Sequence, residues 1–178
     1  MASLLRGHIA QIRELINELR PLALDQFGLV GALRHYVERF GEEAAIQASL
    51  TVAGSFPTDP LADVTIYRVV QESLNNVRRH AQASRVRVDL RVTDDDVEVT
   101  VSDDGRGFDM DVRADSRSGG LGLNSMWERA ELIGGTFSVQ SKPGQGTLTI
   151  LRIPSKANAA RASRTESPAP DGGAAVGR

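Results

Sequence analysis

Apolar residues at Leu5, Ile9, Ile12, Ile16 and Leu19 recur at spacings of four, three, four and three, which predicts a helix over Leu4–Leu19 that Pro21 breaks. The stripe is narrow and close to a coiled-coil seam. Such a helix packs on a partner helix, or else lies along its own domain as an ordinary amphipathic element. A second helix is expected from Leu29 to Phe40, capped by Gly41, and Ala45–Val52 reads as a strand followed by a Gly-Ser-Phe-Pro loop. Pro60 stands near the start of a long helix reaching Ala81, with Leu61, Val64, Val69, Leu74 and Val77 as its apolar face. Arg85–Thr93 alternates strictly, with Val86, Val88, Leu90 and Val92 on one side. Asp94-Asp95-Asp96 turns the chain, and Val97, Val99 and Val101 continue the alternation. These two strands form an antiparallel hairpin with one covered face. Leu121–Leu132 is helical and ends at Gly134-Gly135; Thr136–Gln140 and Gly146–Ile153 form a last hairpin around Lys142-Pro143-Gly144-Gln145. Helices bunched beside antiparallel hairpins predict an α+β fold, a two-layer α/β sandwich.

Composition narrows the class. The segment from Ser155 onward contains a single Val and no aromatic residue, too little to offset its ordering entropy, and is expected to be a disordered tail. The 178 residues are 40% hydrophobic and 25% charged, enough for one compact domain with appendages. Aromatics make up only 4%, so the core is aliphatic. A net charge of −2 gives no basic field for nucleic acid, so no nucleic-acid partner is expected. The absence of cysteine excludes disulfides, thiolate metal sites and a Cys nucleophile. No apolar run approaches a membrane span, and Met1–Ala10 lacks the apolar core of a signal peptide. A cytoplasmic setting follows, with no membrane contact from this segment.

Three segments carry polar residues that a purely structural reading leaves without a purpose. In the long helix, Glu72 and Asn76 are four residues apart and share a face. They are either a solvated helix face or a carboxylate and an amide oxygen serving a hydrated Mg²⁺. At the end of the Val97–Val101 strand stands Asp103-Asp104-Gly105-Arg106-Gly107. It is either a hairpin turn or a loop whose glycines let a planar ligand approach the backbone while an aspartate accepts from an exocyclic amine. The third segment is Ser118-Gly119-Gly120-Leu121-Gly122-Leu123-Asn124, leading into a helix whose free N–H groups suit phosphate. It is neither a Walker A loop nor a dinucleotide fingerprint. Between the second and third segments, Phe108–Arg117 is polar, as a lid over a ligand would be.

In combination these segments resemble a known family. Glu72-x-x-x-Asn76 with Arg79-His80-Ala81 resembles the N-box of the histidine-kinase ATP-binding domain. Asp103-x-Gly105-x-Gly107-Phe108 resembles its G1 box and Gly120-Leu121-Gly122-Leu123 its G2 box, while Gly144-Gln145-Gly146-Thr147 resembles the strand start that closes the pocket. The resemblance covers Leu61 to Pro154 and implies the Bergerat ATP-binding fold shared with gyrase, the Hsp90 chaperone and MutL. Glu18-Leu19-Arg20-Pro21, Leu24-Asp25, Phe27-Gly28-Leu29 and Ala32-Leu33 resemble the joint between dimerisation helices and ATPase domain in NarL/DesK-type sensor kinases. On that basis residues 1–21 are part of a second dimerisation helix, 22–154 the ATPase domain and 155–178 the tail.

The resemblance implies Mg-ATP bound between helices and sheet. Asp103 would accept from the adenine amino group, Gly105 and Gly107 would give the base room beside Phe108, and Thr147 would support that end through water. Asn76 would ligate Mg²⁺. Gly120 and Gly122, with Leu121 and Leu123 of the same box, would bring backbone N–H groups to the phosphates. Glu72 would act as general base toward an incoming histidine, with Arg79 and His80 contacting phosphate and positioning. Two positions depart from the family pattern: Ser118 replaces the first glycine of the G2 box, and Arg79 replaces the N-box lysine, keeping the charge without being equivalent to Lys at a phosphate. None of His8, His35 or His80 is followed by an acidic residue, so the chain resembles the catalytic part of a kinase without its own acceptor. The implied partners are ATP, a histidine-bearing dimerisation helix of the same kinase, and a NarL-type response-regulator receiver domain, with a homodimer possible through the seam. The rival readings are an anti-sigma-factor-like serine kinase and a non-catalytic, nucleotide-gated interaction module.

Overall fold

The computed structural model describes residues 21–54, 59–93, 96–109 and 121–154. The expected helix over Leu4–Leu19, most of the expected lid and the tail from Ser155 lie outside them. Helix α1 (Leu22–Ala44) follows Pro21, whose carbonyl accepts from the Leu24 N–H at 2.9 Å. It is interrupted at Gly28, where φ is 65° and ψ 178°, a conformation that glycine adopts without penalty. The segment before the break is the difference from the expected start at Leu29. Beyond it Leu29, Ala32, Leu33, Val37 and Phe40 are buried at helical spacing. Gly41 does not end this helix. A Cβ there would lie 3.1 Å from the Ile46 carbonyl oxygen and 3.2 Å from Ala48 Cβ, so glycine is used for close packing onto the next strand, and Ala45 provides the left-handed cap.

Strand β1 (Gln47–Ala53) leads to helix α2 (Pro60–Asn76). The Asp59 carboxylate accepts from the N–H groups of Leu61 and Ala62 at 3.0 and 3.3 Å, and Pro60 fills the first helical position. Such a cap contributes about 1 kcal/mol. The helix runs on to Ala81 as expected, but its last five residues, Val77–Ala81, form a π-turn. Strands β2 (Arg85–Val92) and β3 (Asp96–Asp103) are the expected hairpin. Helix α3 (Leu121–Leu132) closes as the glycines predict, with the Gly134 and Gly135 N–H groups returned to Glu131 and Ala130. Strands β4 (Thr136–Ser141) and β5 (Thr147–Pro154) form the final hairpin.

The five strands make one sheet in the order β1-β2-β3-β5-β4. β1 pairs parallel with β2, which requires the crossover that α2 supplies; the other pairs are antiparallel. Alternation puts Val86, Val88, Leu90, Val99, Val101, Phe137, Val139, Leu151 and Ile153 on the covered face, against Leu33, Ile66, Val70, Leu74, Met126 and Ala130 of the helices. Each fully buried Leu or Ile here contributes about 1.5–3 kcal/mol. The opposite face is mainly polar apart from Leu148 and Ile150 of β5, with the Glu98–Arg152 ion pair at 2.8 Å bridging β3 and β5. Because β3 and β5 are central and antiparallel, the last residue of one lies opposite the first of the other, beside the end of α2.

Candidate functional site

At that end of the sheet a cleft of about 700 Å³, part of it open to solvent, lies between the helices and the strands. Five α2-side residues line it, Ser73, Asn76, Val77, His80 and Ala81, at the i, i+3, i+4, i+7, i+8 spacing of one helix face. Val101 and Asp103 come from β3, Thr147 and Thr149 from β5, Val139 from β4, and Leu123 and Met126 from α3. Gly107, Phe108 and Arg106 close the rim. Aliphatic and aromatic side chains make up much of the wall, with Asp103 and Thr147 at the strand ends and Ser73, Asn76 and His80 along the helix as its polar groups.

Asp103 is the carboxylate of this wall. Its Oδ1 accepts from the Gly105 N–H at 2.8 Å, and the Thr147 N–H acts on it from across the strand pair. Burial raises its pKa above the ordinary carboxylate range, with those two N–H groups opposing the rise and Asp104 adding to it. Asp104 has a different task. Its carboxylate accepts from the Ser84 hydroxyl at 2.7 Å, the Ser84 N–H at 2.9 Å and the Arg85 N–H at 2.8 Å, which ties the start of β2 to the end of β3 and lowers its pKa. The two adjacent carboxylates thus divide into a cleft acceptor and a structural clamp.

The glycines of the loop answer to the protein's own packing. A Cβ on Gly105 would strike the Ala81 carbonyl, and one on Gly107, where φ is 57°, the Lys142 carbonyl. Arg106 between them clasps the π-turn: its N–H donates to the Ala81 carbonyl at 2.8 Å and its Nε to the His80 carbonyl at 2.7 Å. These are carbonyls that the end of a helix leaves unpaired. Gly107 lines the cleft and Gly105 does not. Gly122, in the first turn of α3, faces the Glu72 carboxylate so closely that a Cβ has no room. Glu72 therefore stands at the N-terminal end of α3, outside the cleft wall, with Gly122 as its seat. Arg79 is exposed and also outside that wall. Gly120 lies outside the described residues; Leu121 is described only as the first residue of α3, and Leu123 lines the cleft.

Four residues escape a motif-based reading. Ser73 and Thr149, 5% and 7% exposed, put hydroxyls on the cleft floor 3.5 Å apart, and Thr149 also reaches the Val101 carbonyl at 3.2 Å. The spacing of Ser73 from Asn76, Val77 and His80, and of Thr149 from Thr147, is the signal that would have found them. Arg106 is marked by the glycines on either side. Ser141 carries no such mark: its Oγ accepts from the Phe108 N–H at 2.9 Å and joins Gly146 and Thr147.

Acceptors at one end of a mainly apolar cleft fit a flat heteroaromatic base bearing an amine. Among the described residues no group of three or more His, Cys, Asp or Glu is placed to hold a metal ion. Asn76 offers one amide oxygen, which fits an ion whose remaining ligands are phosphate oxygens and water, as Mg²⁺ prefers. No helix among the described residues is long and apolar enough to cross a membrane.

Known proteins share both sequence and shape with this chain. It is 33% identical over 157 residues to the signal transduction histidine-protein kinase/phosphatase DegS of Brevibacillus brevis, covering 86% of this chain and 39% of that protein. It is 38% identical over 148 residues to the oxygen sensor histidine kinase NreB of Staphylococcus carnosus, covering 82% and 42% respectively. The chain thus spans well under half the length of these relatives. In fold it is similar to the histidine kinase domain of the Erythrobacter litoralis EL346 blue-light activated histidine kinase, with a TM-score of 0.59, 24% identity, and 77% of this chain and 70% of that one covered. The sequence pattern described as "Histidine kinase-, DNA gyrase B-, and HSP90-like ATPase" matches residues 62–157, which take in all but the first two residues of α2, with the Asp103 loop, α3 and the last hairpin. On that match, more than half of its residues, the chain belongs to the family of histidine kinase-, DNA gyrase B- and HSP90-like ATPases.

Proposed function

We propose that this chain binds Mg-ATP as the catalytic part of a two-component sensor kinase and transfers the γ-phosphoryl group to a histidine on a separate dimerisation helix of the same kinase, for relay to an aspartate of a NarL-type response regulator. On this reading the reaction takes place in the cytoplasm. The observation that carries this reading is Asp103: a half-buried carboxylate at the end of a central strand, held by the Gly105 N–H on the wall of a mainly apolar cleft. It accepts from the adenine amino group, with Thr147 beside it. Phe108 and Val139 supply apolar contact to the base.

Bound Mg²⁺, held by Asn76 together with phosphate oxygens and water, would neutralise charge on the phosphates. Glu72, seated on Gly122 at the start of α3, stands where the phosphate end of the nucleotide and the incoming imidazole meet. It orients that ring and accepts its proton as the nitrogen lone pair bonds to the γ-phosphorus. The bond between the γ-phosphorus and the bridging oxygen breaks, and ADP leaves. Gly122 and the residues before it supply N–H groups, while Arg79 and His80 serve phosphate contact and positioning.

The test combines the full chain with a separately expressed dimerisation segment carrying the acceptor histidine, and γ-labelled ATP. Acid-labile, base-stable label on that segment, lost on Glu72→Gln, is the expected result. Acid-stable label would identify a serine kinase, and ATP binding without transfer would identify an interaction module.

A further inference from the structure

Asp103, Thr147 and Ser141 face one another across three neighbouring strands, Thr147 being the register partner of both. This row fixes where the hydroxyl protons go. Ser141 Oγ has three polar neighbours: the Phe108 N–H at 2.9 Å, the Gly146 carbonyl oxygen at 2.8 Å and Thr147 Oγ1 at 3.2 Å. A serine hydroxyl carries one proton and two lone pairs. The Phe108 N–H can only donate and the Gly146 carbonyl can only accept, so the Ser141 proton goes to Gly146 and one lone pair accepts from Phe108. The contact with Thr147 then joins two oxygens, and it is attractive only when Thr147 supplies its own proton. Thr147 therefore turns lone pairs, not a proton, toward the cleft. Asp103 beside it is an acceptor as well.

We propose that Ser141 is a positioning residue for base specificity: by taking the Thr147 proton it keeps the strand end of the cleft acceptor-only, so that end takes a base edge bearing an exocyclic amine and refuses one bearing a carbonyl in the same place. The inference rests on the adenine reading above and adds a residue that lies outside the cleft wall and acts through Thr147.

The experiment is titration calorimetry of the full chain with Mg-ATP and with Mg-inosine triphosphate, in which a carbonyl replaces the 6-amino group. The unsubstituted chain is expected to prefer ATP by about a hundredfold or more, since a site built to pair a donor rejects the analogue lacking it. Ser141→Ala frees the Thr147 proton to swing into the cleft and donate to that carbonyl, and the preference falls by about tenfold, the scale of one hydrogen bond. Ser141→Thr keeps the hydroxyl and keeps the preference. Ser141→Cys, whose thiol accepts weakly, moves it in the same direction as Ala and serves if the alanine variant does not fold. In a Thr147→Val background the Ser141 substitutions no longer change the ratio, because the group they act through is gone. Parallel weakening of both nucleotides, or a ratio shift that persists without the Thr147 hydroxyl, overturns the proposal. Equal binding of ATP and inosine triphosphate by the unsubstituted chain overturns the adenine reading itself, and is seen before any Ser141 variant is made.

Discussion

Asp103→Asn exchanges a carboxylate for an amide of the same shape, and the geometry of the site sets the cost. In the native chain one carboxylate oxygen serves the Gly105 N–H at 2.8 Å, the Thr147 N–H also acts on the carboxylate, and the lone pairs left over are available to the base. An asparagine has one accepting oxygen and one donating NH₂. Whichever way the amide turns, three donors, the Gly105 and Thr147 N–H groups and the nucleotide amine, are left with one accepting oxygen, and the NH₂ faces a donor. The loss is at least one hydrogen bond to a charged acceptor, about 1.5–3 kcal/mol. At about 1.4 kcal/mol per decade this is roughly a 10- to 150-fold rise in Kd for Mg-ATP. Stability moves differently. Burial disfavours the Asp103 charge, as its raised pKa records, so replacing the carboxylate by a neutral amide leaves the unfolding temperature of the nucleotide-free chain unchanged or raises it. Calorimetric titration with Mg-ATP, paired with thermal unfolding followed by circular dichroism, reads both quantities. ATP affinity within twofold of native would refute the assignment of Asp103 as the base reader. A drop in affinity accompanied by an equal loss of stability would show that the residue acts on the fold instead.

Three further expectations follow from the same geometry. Because burial raises the Asp103 pKa, ATP affinity is full above that raised value and declines as the pH falls through it, beginning above the ordinary carboxylate value of about 3.9; the ratio of native to Asp103→Asn affinity, measured across this range, should shrink toward one. Asp104 titrates in the opposite sense: its folded pKa is lowered, so its contribution to stability is fully present above the unfolded value of about 3.9 and is lost as the pH falls through the folded one. Urea unfolding of Asp104→Ala against the native chain should therefore show a gap at neutral pH that closes in acid. Gly122→Ala sends a methyl group into the Glu72 carboxylate, which swings away at little cost while Ala improves helix propensity by about 1 kcal/mol, so the unfolding temperature holds or rises while labelled phosphate transfer to the histidine segment falls at least tenfold.

Periodicity carried most of the fold. The strict alternation of Val86, Val88 and Leu90, and of Val99 and Val101, needs only the pleat to become a covered face, and the structure has it so. Glycines were harder to read, because a missing side chain signals several different demands. Gly134 ends a helix as expected, whereas Gly41 lies inside one, where Ile46 and Ala48 leave no space. Gly105 and Gly107 are required by carbonyls of the protein's own backbone, contacts between segments far apart in sequence that no local pattern encodes. The π-turn at Val77–Ala81 is similarly invisible in a run of helix-compatible residues, since it depends on Arg106 arriving from another element to take up the His80 and Ala81 carbonyls. Asp103 and Thr147 were legible through their motifs. Ser141 was not: the role proposed for it rests on a hydrogen-bond pattern that exists only once β4, β5 and the Phe108 loop have met.

The position of β5 has a consequence for how the protein is made. It follows the other four strands in the chain and yet sits in the interior of the sheet, between β3 and β4. A nascent polypeptide released only as far as Ser141 has its Asp103 side of the cleft facing open solvent and β4 with no neighbour to pair with. During synthesis, when segments emerge from the ribosome in order, the cleft is therefore completed only with the arrival of Thr147–Pro154.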